Sequence, residues 1–293
     1  LAKSLEPYLF SNSAVVVQHF VGVGTTPARV AEVARRIVAV SRSLLGIDSS
    51  APGFDEPADA AQTLRALGAA ARARGASLVI AIDGLEAAHG AEDFAWLRAA
   101  PHPGVKLILT ALPSGVLAKT RAARSSCRRI KVGPLDAPRA RAMVMALLER
   151  EARSLPSAEI DRILAHPSAG VPAFLNALLT ELMVSADHEG LAARLRECLA
   201  ARTLAGLHLI ALRRIESELG EAFVSTALRQ LASAPAGLTE SELVARVDKM
   251  HAELAALRLR LGNELVDAGG LISLPAGAFA DAVRSRYRLR VAD

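Results

Sequence analysis

Cysteine is nearly absent: only Cys127 and Cys198 occur in 293 residues. That excludes a disulfide framework and a zinc knuckle, and fits a reducing, cytoplasmic compartment. Aromatic residues make up 3% of the chain, too few for a sandwich built on aromatic cross-strand pairs or for the stacking platform of a single-strand nucleic-acid binder. Mean hydropathy is +0.29, yet no apolar run approaches the roughly 20 residues of a membrane span, so membrane insertion is not expected. The opening LAKSLEPYLF lacks the basic-then-apolar layout of a secretory leader. The seven histidines show no ligand spacing of the HExxH type, no GxSxG elbow occurs, and Cys127 has no histidine partner near it in sequence. Charge of one sign is also scarce, with a net of +5. The basic residues are scattered arginines, which read as solvated helix faces; weak affinity for phosphate or nucleic acid is the alternative.

What is present is a mostly apolar chain, 52% hydrophobic, long enough for about two domains at roughly 150 residues each. Its first half alternates two kinds of segment. SAVVVQHF (Ser13–Phe20), LVIAI (Leu78–Ile82) and VKLIL (Val105–Leu109) read as strands, and Ser126–Val132 is a fourth, more polar candidate. Pro27–Leu45, Ala60–Arg74 and about Glu92–Arg98 read as helices; in the first, Val30, Val33, Ala34, Ile37 and Val38 share one face. Thr25 or Thr26 is placed to cap that helix, with Pro27 at its first position. Alternation at these lengths predicts βαβ units and a parallel sheet.

Beyond Gly133–Pro134 strand signals nearly vanish. Pro138–Ala152, Ala158–Ala165, Pro172–Ala186, Leu191–Ala200 and Leu204–Leu219 predict amphipathic helices. A second boundary falls near Ala234–Gly237, where Thr239 with Glu242 three residues on forms a capping-box signature. A helix over about Ala252–Asp267, a small hairpin in LISLPAG and a last helix over Phe279–Arg288 follow. Helix, helix, helix, hairpin is winged-helix order.

The sharpest chemical signal is LVIAIDGLEAAH, Leu78–His89. An apolar strand ending in Asp is the Walker-B layout: Mg²⁺ on nucleotide phosphates needs a hard carboxylate at the strand's C-terminal edge. Asp83 occupies that place, and Glu86 stands where a residue could polarise an attacking water. A strand that simply ends in an Asp-Gly turn gives the same string. The partner motif, GxxxxGK[ST], does not occur. Gly22-Val23-Gly24-Thr25-Thr26 follows a strand and opens a helix, but it carries no Lys to neutralise phosphates; a tight turn with a Thr cap explains it more simply.

Taken in order, these segments resemble the STAND class of P-loop NTPases, NACHT-like, of the nephrocystin and telomerase-associated-protein type, over nearly the whole chain. The pieces are VVVQHFVG (Val15–Gly22) followed by Thr25–Thr26, the Walker-B-like LVIAIDGLEAA, Trp96–Leu97, PGVKLILTAL (Pro103–Leu112), the turn Gly133-Pro134-Leu135, the GxP-type Gly170-Val171-Pro172, and GLTESEL (Gly237–Leu243). The resemblance implies an α/β core with a P-loop NTPase-type parallel sheet over 1–133, a helical lid over 134–202 and a winged-helix-like domain over 203–293. It also implies that the missing phosphate loop lies before Leu1 or has been lost.

Carried over position by position, Asp83 resembles the Mg²⁺ ligand and Glu86 the second acidic, catalytic position. Thr110 matches the polar sensor of the next strand, and Gly170 and Pro172 match the lid motif beside adenine. The Arg that many members place after the sensor is replaced by Ala111-Leu112-Pro113. The His that senses the β-phosphate is missing from Pro275–Phe279. The resemblance thus implies ATP or ADP with Mg²⁺ as cofactors, conditional on an upstream Walker-A loop, slow or no hydrolysis, and protein partners through oligomerisation. The alternative is an inert interaction scaffold that keeps the fold. DNA contact through Arg258, Arg260 and Arg284–Arg290 is the least expected reading.

Overall fold

The structure is a computed structural model that describes residues 14–21, 29–48, 60–88, 103–113, 128–184, 188–234, 236–275 and 277–289. The chain divides into two compact units, Leu1–Arg129 and Ile130–Asp293.

The first unit is α/β. Strands β1 (Ala14–Phe20), β2 (Ser77–Asp83) and β3 (Val105–Leu109) are parallel, with β2 in the middle of the described sheet. Phe20 lies opposite Asp83, and Ile82 opposite Leu109. Two helices, α1 (Val30–Leu44) and α2 (Ala60–Ala73), fall between β1 and β2. In α1 the buried residues Val30, Val33, Ala34, Ile37, Val38 and Ser41 recur at helical spacing, so one stripe packs inward. Alternation along β2 sends Leu78, Ile80 and Ile82 into the core shared with α1 and α2, while Val79 and Ala81 join a smaller cluster with Val16 and Ile108. Asp83 belongs to this second set by parity. The sheet is tied closely to α2 at one point: a Cβ on Gly104 would lie 2.3 Å from the Gly68 carbonyl oxygen.

The second unit is mostly helical. Helices α3 (Ala137–Arg150), α4 (Ser157–Leu164), α5 (Pro172–Met183) and α6 (His188–Leu199) are followed by α7 (Leu204–Leu219) and α8 (Glu221–Ala232). Then come β4 (Leu238–Thr239), α9 (Glu240–Val247), α10 (His251–Leu261), β5 (Val266–Ala268), β6 (Leu271–Ser273) and α11 (Ala278–Tyr287). The three short strands pair antiparallel in the order β4-β6-β5. Asp136 caps α3, Thr203 caps α7, and Thr239 with Glu242 forms the capping box of α9.

Several expectations are corrected. Arg128–Val132 forms no strand. Its two apolar residues, Ile130 and Val132, are exposed at 76% and 90%, and the charges between them leave too little apolar surface to bury. The helix expected to reach Asp267 stops at Leu261, because Gly262 adopts φ 53°. The hairpin therefore lies earlier than expected, turning at Gly269–Gly270, both with positive φ. Helix α8, not anticipated, begins directly after Gly220. The segments 22–28 and 92–98, with the Gly-Thr turn, Pro27 and Trp96–Leu97, lie outside the described residues, as does Cys127. No helix among the described residues is long and apolar enough to cross a membrane.

Candidate functional site

The register that aligns Ile82 with Leu109 brings the next residues, Asp83 and Thr110, side by side at the C-terminal end of the sheet. The Thr110 hydroxyl donates to Oδ1 of Asp83 and accepts the Gly84 backbone N–H at 3.2 Å. Backbone bonds frame the pair: Thr110 N–H to the Ile82 carbonyl at 2.9 Å, Leu85 N–H to the Thr110 carbonyl at 3.1 Å, and Val21 N–H to the Asp83 carbonyl at 2.9 Å. Both side chains are half-buried.

Gly84 turns the chain sharply, with φ 78° and ψ 38°, the left-handed region that glycine enters without strain. A short 3-10 turn, Leu85–Ala87, follows. Leu85 is buried in the core, which anchors the turn. Glu86 is exposed on it and accepts the Leu112 backbone N–H through Oε2 at 2.9 Å. Glu86 therefore braces the segment after β3 through one oxygen, and Oε1 lies outside that bond.

A carboxylate and a hydroxyl oxygen, adjacent at a strand end, suit a hard divalent cation that takes its remaining ligands from water and phosphate. Among the described residues no group of three or more His, Cys, Asp or Glu gathers.

Gly170 and Pro172 lie in the second unit, apart in the chain from this pair. A Cβ on Gly170 would meet the Pro134 Cβ at 2.9 Å and the Leu135 carbonyl oxygen at 3.0 Å, and the Gly170 carbonyl accepts the Leu135 N–H at 2.8 Å. Close approach of the 134–135 segment thus accounts for the glycine. Pro172 is exposed at the first position of α5, where its fixed φ suits helix entry and its missing N–H costs nothing. One turn on, Ala173 and Asn176 line a cavity of about 180 Å³ with Leu204, His208, Glu264 and Phe279.

Nothing near His208 in sequence marks it as a site residue. It is buried on α7, stands edge-on to Phe279 with ring centroids 5.3 Å apart, and has Nδ1 3.9 Å from Glu264 Oε1. Burial holds its pKa down at about 4, against a smaller upward pull from Glu181, and burial raises that of Glu264. The imidazole is neutral at pH 7. It lines the same cavity as Pro275, Gly277, Ala278 and Phe279.

Arg258 and Arg260, two of the arginines considered for DNA, are already engaged. Arg258 pairs with Glu240 at 3.2 Å and Asp267 at 2.7 Å, and Arg260 with Glu218 at 2.7 Å. A phosphate backbone would have to displace these carboxylates.

No protein-family model matches the chain. A TPR repeat-containing protein of Dictyostelium discoideum is 26% identical over 223 residues, a match that takes in 73% of this chain and 13% of that protein. The chain thus corresponds in extent to a small part of that relative. Among solved structures, a Walker-type ATPase of Pyrococcus abyssi aligns at 16% identity with a TM-score of 0.46, covering 97% of this chain and 87% of that one.

Proposed function

We propose that the chain is the nucleotide-dependent switch module of a larger protein, of the STAND, NACHT-like class of P-loop NTPases, in which ATP or ADP with Mg²⁺ sets the state and hydrolysis is slow or absent. The observation that supports it best is the Asp83–Thr110 pair on the end of the central described strand. There the carboxylate and hydroxyl would hold Mg²⁺, whose bound form supplies charge neutralisation to the phosphates. In this reading residues 134–202 serve as lid and 203–293 as a winged-helix-like part, with Gly170 and Pro172 at the lid's edge. Glu86, held at Oε2 by the Leu112 N–H, is the residue that would act on water in any such hydrolysis.

The test is calorimetric titration of ATP and ADP with Mg²⁺ into the natural full-length protein and its Asp83→Ala variant. Binding by the wild type, weakened tenfold or more in the variant, is expected. A wild type that takes up neither nucleotide would end this reading.

A second reading, an interaction scaffold that keeps the fold for shape, is favoured by the TPR repeat-containing relative, since repeat arrays present extended binding surfaces. It predicts that Asp83→Ala leaves both nucleotide response and assembly unchanged.

A further inference from the structure

Helix α7 belongs to two hydrophobic cores at once. Leu207 and Ile210 are part of the core built by α3–α6 with Val144, Ile163, Phe174, Leu178 and Leu195. Leu212 and Ile215 are part of the core built by α8–α11 with Val224, Leu228, Leu257 and Val283. At about 100° per residue the two pairs are centred roughly 140° apart around the helix. A 16-residue helix that is clamped on both sides leaves no swivel at 202–203.

Buried charge runs along the same path. Glu181 of α5, with its side chain 7% exposed, accepts from Arg214 of α7 through Nε and Nη2, both at 3.0 Å, and from Arg194 of α6. Arg214 goes on to Glu218 at 2.7 Å, and Glu218 to Arg260 of α10 at 2.7 Å. On the far face Glu216 of α7 holds Arg286 and accepts the Tyr287 hydroxyl of α11 at 2.8 Å. Burial alone would raise the Glu181 and Glu216 pKa values. The guanidinium bonds outweigh it and hold both low, so the carboxylates stay charged and the chain of pairs stays closed at neutral pH.

We infer that the helices read as a lid and the helices and hairpin that follow form one cooperative body, with α7 as its spine, Glu181 as its staple and no joint at 202–203. Such a joint would be costly. Opening one would expose an apolar face of α7 and break the bonds of Glu181 to Arg214, stranding buried charge. The regulatory meaning of this body rests on the nucleotide reading. The body itself does not.

Native-state hydrogen exchange of the full chain in graded urea, without nucleotide, tests the inference. Amides of α5 and of α11 are expected to share one opening constant within threefold and one denaturant slope. Opening constants more than tenfold apart, with separate slopes, would overturn it. In Glu181→Gln both sets of amides should open more readily, by tenfold or so and by the same factor. A response confined to α5 and α6 would count against the spine. Should that variant fail to fold, the wild-type comparison decides alone. Absence of nucleotide binding in the calorimetric titration leaves either exchange result standing, so the two readings fail separately.

Discussion

Replacing Thr110 with valine removes one oxygen and keeps the side chain's shape. That oxygen makes two bonds: it donates to the Asp83 carboxylate and accepts the Gly84 N–H at 3.2 Å. A bond to a charged group contributes about 1.5–3 kcal/mol and a neutral one about 0.5–1.5 kcal/mol. Both partners are half-buried, so water recovers part of each, and a net local loss of about 1–2 kcal/mol follows. Thr110→Ser keeps both bonds and gives up only a half-exposed methyl, worth under about 1 kcal/mol. Hydrogen exchange at the Gly84 amide reads the difference where it arises. Protection in Thr110→Val should fall by roughly tenfold, since about 1.4 kcal/mol is a factor of ten, while Thr110→Ser should stay within a fewfold of wild type. If valine and serine behave alike, the hydroxyl is not what holds the Asp83–Gly84 turn, and the proposed cation site loses its second oxygen.

Gly170→Ala places a methyl 2.9 Å from the Pro134 ring and 3.0 Å from the Leu135 carbonyl. Neither is the end of a flexible chain, so about 1–3 kcal/mol of overpacking is expected. It should appear as a lower melting temperature and a faster-exchanging Leu135 amide; a variant as stable as wild type but impaired in nucleotide binding would assign the glycine to a ligand instead. His208 predicts a pH dependence. Its folded pKa of about 4 lies below an unfolded value near 6.5, so the unfolded chain binds the extra proton first. Stability is then full above pH 6.5 and falls on acidification toward pH 4, by up to about 3 kcal/mol. Glu264, its pKa raised by burial, acts in the opposite sense, losing stability as pH rises through its folded value. Urea midpoints across pH 4–7 should therefore slope less steeply in His208→Gln than in wild type; identical slopes would exclude the imidazole as their source.

Local chemistry was legible in the sequence. The capping box of Thr239 and Glu242 and the bounds of α7, between Thr203 and Gly220, each depend on residues a few positions apart. The parallel strands were legible as β-branched runs, and Asp83 as the end of one. Long-range closeness was not. Thr110 meets Asp83 across 27 positions and Arg214 meets Glu181 across 33, and such pairs leave no periodic trace. Helix α10 was overextended because Leu265 and Val266 continue an apolar pattern past Gly262, and the pattern carries no sign of the positive φ that breaks it. Gly170 was legible as a motif-like glycine, but the packing of the Pro134–Leu135 segment against its bare Cα was not.

The wiring of the sheet end bears on how the proposed site would be read out. An in-line attack on a phosphate wants a base with a free oxygen and a fixed position. Glu86 is exposed, held at Oε2 by the Leu112 N–H, with Oε1 outside that bond. Asp83, by contrast, is joined through the Thr110 hydroxyl to the Gly84 amide, and Leu85 ties the same turn back to the Thr110 carbonyl. A cation drawing on the Asp83 and Thr110 oxygens would compete for their mutual bond. That competition would shift the Gly84 turn and, through Glu86, the segment at Leu112. Such an arrangement would report occupancy in the backbone, which makes exchange at Gly84 and Leu112 upon addition of Mg²⁺ and nucleotide a direct readout of the proposed site.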